Sequence, residues 1–165
     1  MPRFSQCNLG RGKTAMTELA ATADGDISDI LLLQEPYLDQ NGCIGGLPLT
    51  WRKIHKPHSQ TAVVVTNAKF SVVQVHISNC VAAATVTAGT EVLTVISAYF
   101  SPALSLRVGL EELGTLLDGL DMRRVVIRGD FNAHYPNWGP VRNTHRALDR
   151  GVSVISFATS RAMLI

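Results

Sequence analysis

Apolar residues along this chain follow two periods, and the places where one gives way to the other mark out its elements. The first run, RFSQCNL, is short and strand-like. After it Met16, Leu19, Ala20 and Ala23 share one face at helical spacing, and TADGD closes that helix with turn residues. ISDILLLQE is apolar at successive positions until Gln34 and Glu35, the pattern of a strand buried on both faces. Residues 36–48 are rich in glycine and turn formers and read as a loop. Four β-rich runs follow, TAVVVTN, FSVVQVHI, CVAAATVTA and EVLTVISAYF, separated by turn residues as in a meander of antiparallel strands. Leu106, Leu110, Leu113, Leu117 and Leu120 form a helical stripe with Glu111, Glu112 and Asp118 off it. RRVVIRG returns as a short buried strand, and Leu148, Val152, Ile155 and Ala162 mark a final helix. That helix, within RALDRGVSVISFATSRAMLI, is expected to lie on the sheet and lead into a further strand. Strands and helices mixed around a central meander set the class as α/β with a largely antiparallel or mixed sheet.

Composition adds bounds. At 165 residues, 46% hydrophobic and 17% charged, the chain is a single domain, 1–165, that folds around its own core. A net charge of +2 is too small to announce nucleic acid by itself, so an anionic partner must be held by local chemistry. Cys7, Cys43 and Cys80 are few, odd in number and not at metal-ligand spacing, which points to reduced intracellular thiols. No apolar run reaches membrane-spanning length, no membrane partner is expected, and MPRFSQCN does not resemble a signal peptide.

The candidate chemistry lies where strands stop. Asn8 follows the first strand and Glu35 ends the second. Tyr99 lies at the end of VLTVISAYF, and Asp130 and Asn132 come just after VVIRG, within RGDFNAHYPNWGP. Four strands thus finish in polar groups that an apolar strand does not need, and strand ends are where a sheet can fix side chains around a crevice. Carboxylates gathered there repel unless a cation lies between them. Two acids plus amides, with no Cys or His pair at ligand spacing, suit a hard oxygen-ligated ion, Mg²⁺ rather than zinc. Such an ion assists phosphodiester hydrolysis by polarising a phosphoryl oxygen.

Every one of these residues also has a reading without chemistry. Asp130 and Asn132 can form an Asx-turn after the glycine, Glu35 can be a solvated carboxylate, and Tyr99 a half-buried aromatic. Asn8 can cap a helix, His134 can be an ordinary loop histidine, and Trp138 can pack over its loop. Arg11 and Lys13 can be solvated at a helix start. Their joint arrival, each at the end of its own strand, favours the chemical reading.

The segments QCNL, LLLQEPY, SAYFSP and RGDFNAHYPNWG, in that order and spacing, resemble the endonuclease/exonuclease/phosphatase superfamily. More narrowly they resemble the apurinic-type endonuclease domain at the N-terminus of non-LTR retrotransposon polyproteins. The resemblance implies a four-layered sandwich of two mostly antiparallel, mixed β-sheets flanked by helices. It implies nicking of double-stranded target DNA in the nucleus, leaving a 3′-hydroxyl that primes a reverse transcriptase domain of the same polyprotein, by a domain that is monomeric. By motif, Glu35 is the main Mg²⁺ ligand, with Mn²⁺ a possible substitute, and Asn8 supports the metal site. Tyr99 contacts the scissile phosphate, Asp130 orients or deprotonates the attacking water, and Asn132 holds a phosphate oxygen or that water. His134 has a supporting role beside the phosphate.

Two departures accompany the resemblance. Gly10 stands where apurinic endonucleases carry a carboxylate two positions after the Asn. The family's C-terminal strands, with their Ser-Asp-His segment, have no counterpart among the 165 residues, so a C-terminally truncated domain or a broken element copy is expected. A non-catalytic DNA-binding remnant, or a superfamily phosphatase, are the other readings.

Overall fold

The computed structural model describes residues 2–23, 28–139 and 145–164. β1 (Phe4–Asn8) leads through helix α1 (Lys13–Thr22) into β2 (Ile30–Gln34), which lies parallel to β1 with Asn8 opposite Gln34. β3 (Arg52–Ile54) and β4 (Thr61–Val65) complete a first sheet in the order β1-β2-β4-β3, with β4 antiparallel to both neighbours. The second sheet has the order β5-β6-β7-β8. β5 (Ser71–Ile77), β6 (Val81–Ala88) and β7 (Glu91–Tyr99) form an antiparallel meander. The chain then crosses through α2 (Leu106–Leu117) to β8 (Val125–Asp130), which runs parallel to β7 with Tyr99 opposite Asp130. Helix α3 (His145–Ser160) follows.

The side-chain alternation of the strands sorts these elements into layers. Ile30 and Leu32 of β2 point toward the second sheet and meet Ala82, Ala84 and Val95 there. Leu31 and Leu33 point the other way and pack with Met16 of α1. In the second sheet Val95 faces inward, while Ile96 and Ala98 face outward against Leu110, Leu113 and Leu117 of α2 and Val154 of α3. The result is helix, sheet, sheet, helices: the four-layered α/β sandwich that the family resemblance implies.

Several expectations need correction. TAVVVTN is not the first strand of the meander. As β4 it is buried on both faces and pairs with β2, Leu31 opposite Val64, so the meander has only β5, β6 and β7. β3 was not anticipated, because three residues, Arg52, Lys53 and Ile54, carry no alternation to read. β8 is half-buried rather than buried, being the edge strand of its sheet. Leu120 lies beyond the end of α2. On α3 the buried face is Arg150, Gly151, Val154 and Ala158, whereas Val152 is exposed and Ala162 sits in a turn beyond the helix with φ +53°. A face marked by an arginine and a glycine is invisible to a hydrophobic count. Residues 161–164 leave α3 in a turn and form no strand.

Candidate active site

A parallel pair ends at one edge of its sheet, so β1 with β2, and β7 with β8, each present two carboxyl ends together. Face-to-face packing of the sheets brings these four ends to one rim. Asn8 Nδ2 donates to Asp130 Oδ2 at 2.8 Å, a contact that spans 122 residues of sequence and joins the two sheets. The Asn8 carbonyl oxygen Oδ1 accepts from the Gly10 amide at 3.0 Å, which fixes the orientation of its amide.

Glu35 meets Tyr99 at the same rim. Tyr99 is 7% exposed. Burial, then a hydrogen bond with Glu35, then the charges of Glu35 and Asp130, push its hydroxyl above the ordinary tyrosine range. Tyr99 is therefore a neutral hydrogen-bond donor at physiological pH, not a nucleophile. Glu35 itself has φ +47°, a conformation uncommon for a side-chain-bearing residue. It is held there by its amide, which donates to the Gln60 carbonyl at 2.8 Å, and by its carbonyl, which accepts from the Arg11 amide at 2.8 Å. The Arg11 guanidinium lies 3.5 Å from Glu35 Oε1. Arg11 lies before α1, which begins two positions later, and although its side chain is largely exposed it is a partner of the site carboxylate.

Asp130 serves two purposes at once. Its Oδ1 accepts the Asn132 amide at 2.9 Å, an Asx-turn, and its Oδ2 is the acceptor for Asn8. The turn holds Asn132 at φ +46° and leaves its Nδ2 3.4 Å from the Phe100 carbonyl. The reading without chemistry therefore describes the local geometry correctly, but it does not account for the second oxygen reaching across to the other sheet. His134 is tied by its amide to the Ala147 carbonyl of α3 at 2.9 Å, and its Nε2 is buried with no hydrogen-bond partner among the described residues. Trp138 packs against Tyr135 with ring centroids 5.9 Å apart and remains partly exposed.

Two supports were not legible as site residues. Gln34, fully buried, accepts from Gln6 Nε2 at 2.7 Å and donates to Ser97 Oγ at 2.9 Å, and Ser97 donates to the Leu33 carbonyl at 2.8 Å. This polar bridge crosses the apolar seam between the sheets one residue below Glu35. Arg150 of α3 is the second: it reaches under the loops that follow Tyr99 and Asp130 and donates to their carbonyls. A glutamine inside an apolar run, and an arginine on a helix face, were the only signals.

The donors at the rim are the oxygens of Glu35, Asp130 and Asn8. Among the described residues no group of three or more His, Cys, Asp and Glu gathers as a metal site. An ion taken here would keep much of its coordination as water, which suits Mg²⁺ and not a structural zinc. Beside the rim an open trough of about 1180 Å³ runs along β8, lined by Asn8, Ile127, Leu113, Val154, Phe157 and Met163. Both β1 and β8 are edge strands of their sheets.

Residues 93–165 match the sequence family described as "Endonuclease-reverse transcriptase". No curated protein matches the chain. Among solved structures, the endonuclease domain of TRAS1, a telomere-specific non-LTR retrotransposon, is similar at TM-score 0.79 and 23% identity, over 97% of this chain and 70% of that one. SmcL is similar at TM-score 0.58 and 14% identity, over 94% of this chain and 68% of that one. An endonuclease/exonuclease/phosphatase family protein from Leptotrichia buccalis gives TM-score 0.50 and 13% identity, over 92% and 73%. The resemblance read from the motifs thus meets both a family match over β7, α2, β8 and α3 and a shared fold over nearly the whole chain.

Proposed function

We propose that this chain is the endonuclease domain of a non-LTR retrotransposon, a Mg²⁺-dependent hydrolase that nicks double-stranded DNA. The 3′-hydroxyl it leaves would prime reverse transcription at the target by a reverse transcriptase domain of the same polyprotein, in the nucleus. The observation that carries this reading is the Asn8–Asp130 hydrogen bond, which joins two sheets at the rim where Glu35 and Tyr99 also meet. A purely structural strand end needs no such partner.

The roles follow from the contacts. Glu35, with Asn8, would hold Mg²⁺ or Mn²⁺, whose charge, when bound, neutralises the phosphate and the leaving oxygen. Asp130 accepts a hydrogen bond on each oxygen, which keeps it aimed, and it is the group that orients and receives the proton of the attacking water. Tyr99 donates its protonated hydroxyl to the scissile phosphate. Asn132, fixed by the turn, offers its amide to a phosphate oxygen or to the water, and His134 supports the loop beside them. The domain acts as a monomer.

The test is conversion of supercoiled plasmid to open circles by the full-length protein, in Mg²⁺ and in chelator, with primer extension from the nick to show the 3′-hydroxyl. Glu35→Gln should abolish Mg²⁺-dependent nicking while the fold persists. Wild-type nicking by Glu35→Gln in Mg²⁺ overturns the metal assignment.

Two observations favour a second reading. Arg11 already supplies a cation next to Glu35, and Gly10 leaves the site one carboxylate short of the apurinic pattern. A DNA-binding domain without catalysis would retain DNA in a salt-dependent way and never nick it. The plasmid assay separates the two.

A further inference from the structure

Arg150 is 6% exposed, yet among the described residues no carboxylate accepts from it. Its guanidinium makes five hydrogen bonds, all to main-chain carbonyls. Nε donates to Asn132 at 2.9 Å and to Phe131 at 3.3 Å, Nη1 donates to Leu104 at 3.1 Å, and Nη2 donates to Phe100 at 2.7 Å and to Phe131 at 2.8 Å. Burial depresses its pKa, as does Arg146, while Asp130 opposes them. Burying a guanidinium with no carboxylate bonded to it is costly, and an apolar residue would pack α3 onto the sheet with less penalty. The charge is explained by what it holds.

The four carbonyls belong to two segments. Phe100 and Leu104 lie in the loop that follows Tyr99, and Phe131 and Asn132 in the loop that follows Asp130. Those loops are already coupled at their roots, where the Phe100 amide donates to the Asp130 carbonyl at 2.9 Å. The next residue of α3 presses on the second loop as well: a Cβ on Gly151 would lie 1.8 Å from the His134 carbonyl oxygen, so only glycine lets the helix approach that closely. A planar fork with five donors can tie two loops at once, and no other side chain has that geometry.

We infer that Arg150 is a positioning residue for the reaction, whose guanidinium locks the Tyr99 and Asp130 loops into one unit so that Tyr99, Asp130 and Asn132 are presented together. The inference rests on the nuclease reading above for its kinetic consequence, and on geometry alone for the lock itself.

Arg150→Lys in the full-length protein keeps the charge but replaces the fork with a point donor. Plasmid nicking should fall about a hundredfold in kcat, the scale of a misplacement near 1 Å, with KM little changed. Hydrogen exchange should show faster opening at the Phe100 and Asn132 amides and unchanged protection in β2 and β4. Wild-type kcat per folded molecule in Arg150→Lys, whether the variant folds fully or only in part, would overturn the proposal. If the wild-type protein does not nick, the nuclease reading fails, and the exchange pattern alone still decides the lock. Should Arg150→Lys not fold, the wild type supplies the test. Its Arg150 Nε proton should lose protection on warming together with the Phe100 and Asn132 amides and before the core, and loss only on global unfolding would overturn the inference.

Discussion

The molecule contains the same device twice. In the first sheet β1–α1–β2 gives a parallel pair ending in Asn8 and Glu35; in the second β7–α2–β8 gives a parallel pair ending in Tyr99 and Asp130. The supports beneath them differ. The first pair is braced from within, by Gln34 bonded to Gln6 and Ser97 across the sheet seam, and Glu35 is held in a left-handed conformation by main-chain bonds to Gln60 and Arg11. The second pair is braced from outside, by Arg150 reaching from α3 to carbonyls of both loops. Chemistry requires the four ends to be rigid relative to one another. One pair achieves this through buried side chains and the other through a third element, so damage to the two supports should have different signatures.

The largest effect expected on this contrast comes from Asp130→Ala, which should lower nicking by about a hundredfold or more without a large change in melting temperature, the scale of a lost acid/base or transition-state hydrogen bond. A variant that melts far lower yet retains activity per folded molecule would reduce Asp130 to its turn.

Gln34→Leu strikes the inner brace. It removes hydrogen bonds to Gln6 and Ser97 from a fully buried position and should cost about 1–3 kcal/mol in denaturant unfolding. Its effect on nicking should follow through Glu35 rather than Asp130, so Mg²⁺ dependence should shift to higher concentration. An unchanged unfolding midpoint would show that the bridge contributes nothing.

The smallest effect lies at the opposite end of β2. Burial raises the Asp29 carboxyl, but hydrogen bonds from Arg3 and Asn67 outweigh it and hold the group below the ordinary carboxylate range. Its stabilising contribution is therefore present above the unfolded carboxylate value and is lost as pH falls through the depressed folded one, below about pH 4. Asp29→Asn should flatten the acid limb of the stability profile and leave nicking near neutral pH unaltered. A wild-type acid limb in that variant would exclude Asp29 from the transition.

Much of this was legible in the sequence, and the failures have physical causes. β2, the meander strands β5, β6 and β7, and helix α2 announced themselves because each carries an apolar pattern of the right period. The polar ends Asn8, Glu35, Tyr99 and Asp130 stood out against those patterns, and the structure gathers them at one rim. β4 was assigned to the wrong sheet because a run buried on both faces states that it is central, not which strands flank it. The buried face of α3 was misplaced because Arg150 and Gly151 define it, one by donating to carbonyls and the other by having no side chain. Gln34 was read only as the end of an apolar run, since its partner Ser97 lies 63 residues away. Long-range hydrogen bonds leave no periodic trace.

The central claim is that strand ends from two different sheets form one reacting site. A double-mutant cycle on Asn8→Ala and Asp130→Ala, read as plasmid-nicking kcat/KM in the full-length protein, tests it most directly, because the two side chains share the 2.8 Å bond that joins the sheets. The account predicts strong non-additivity, with the double variant scarcely slower than Asp130→Ala alone. Losses that multiply would show two groups acting independently and would contradict it.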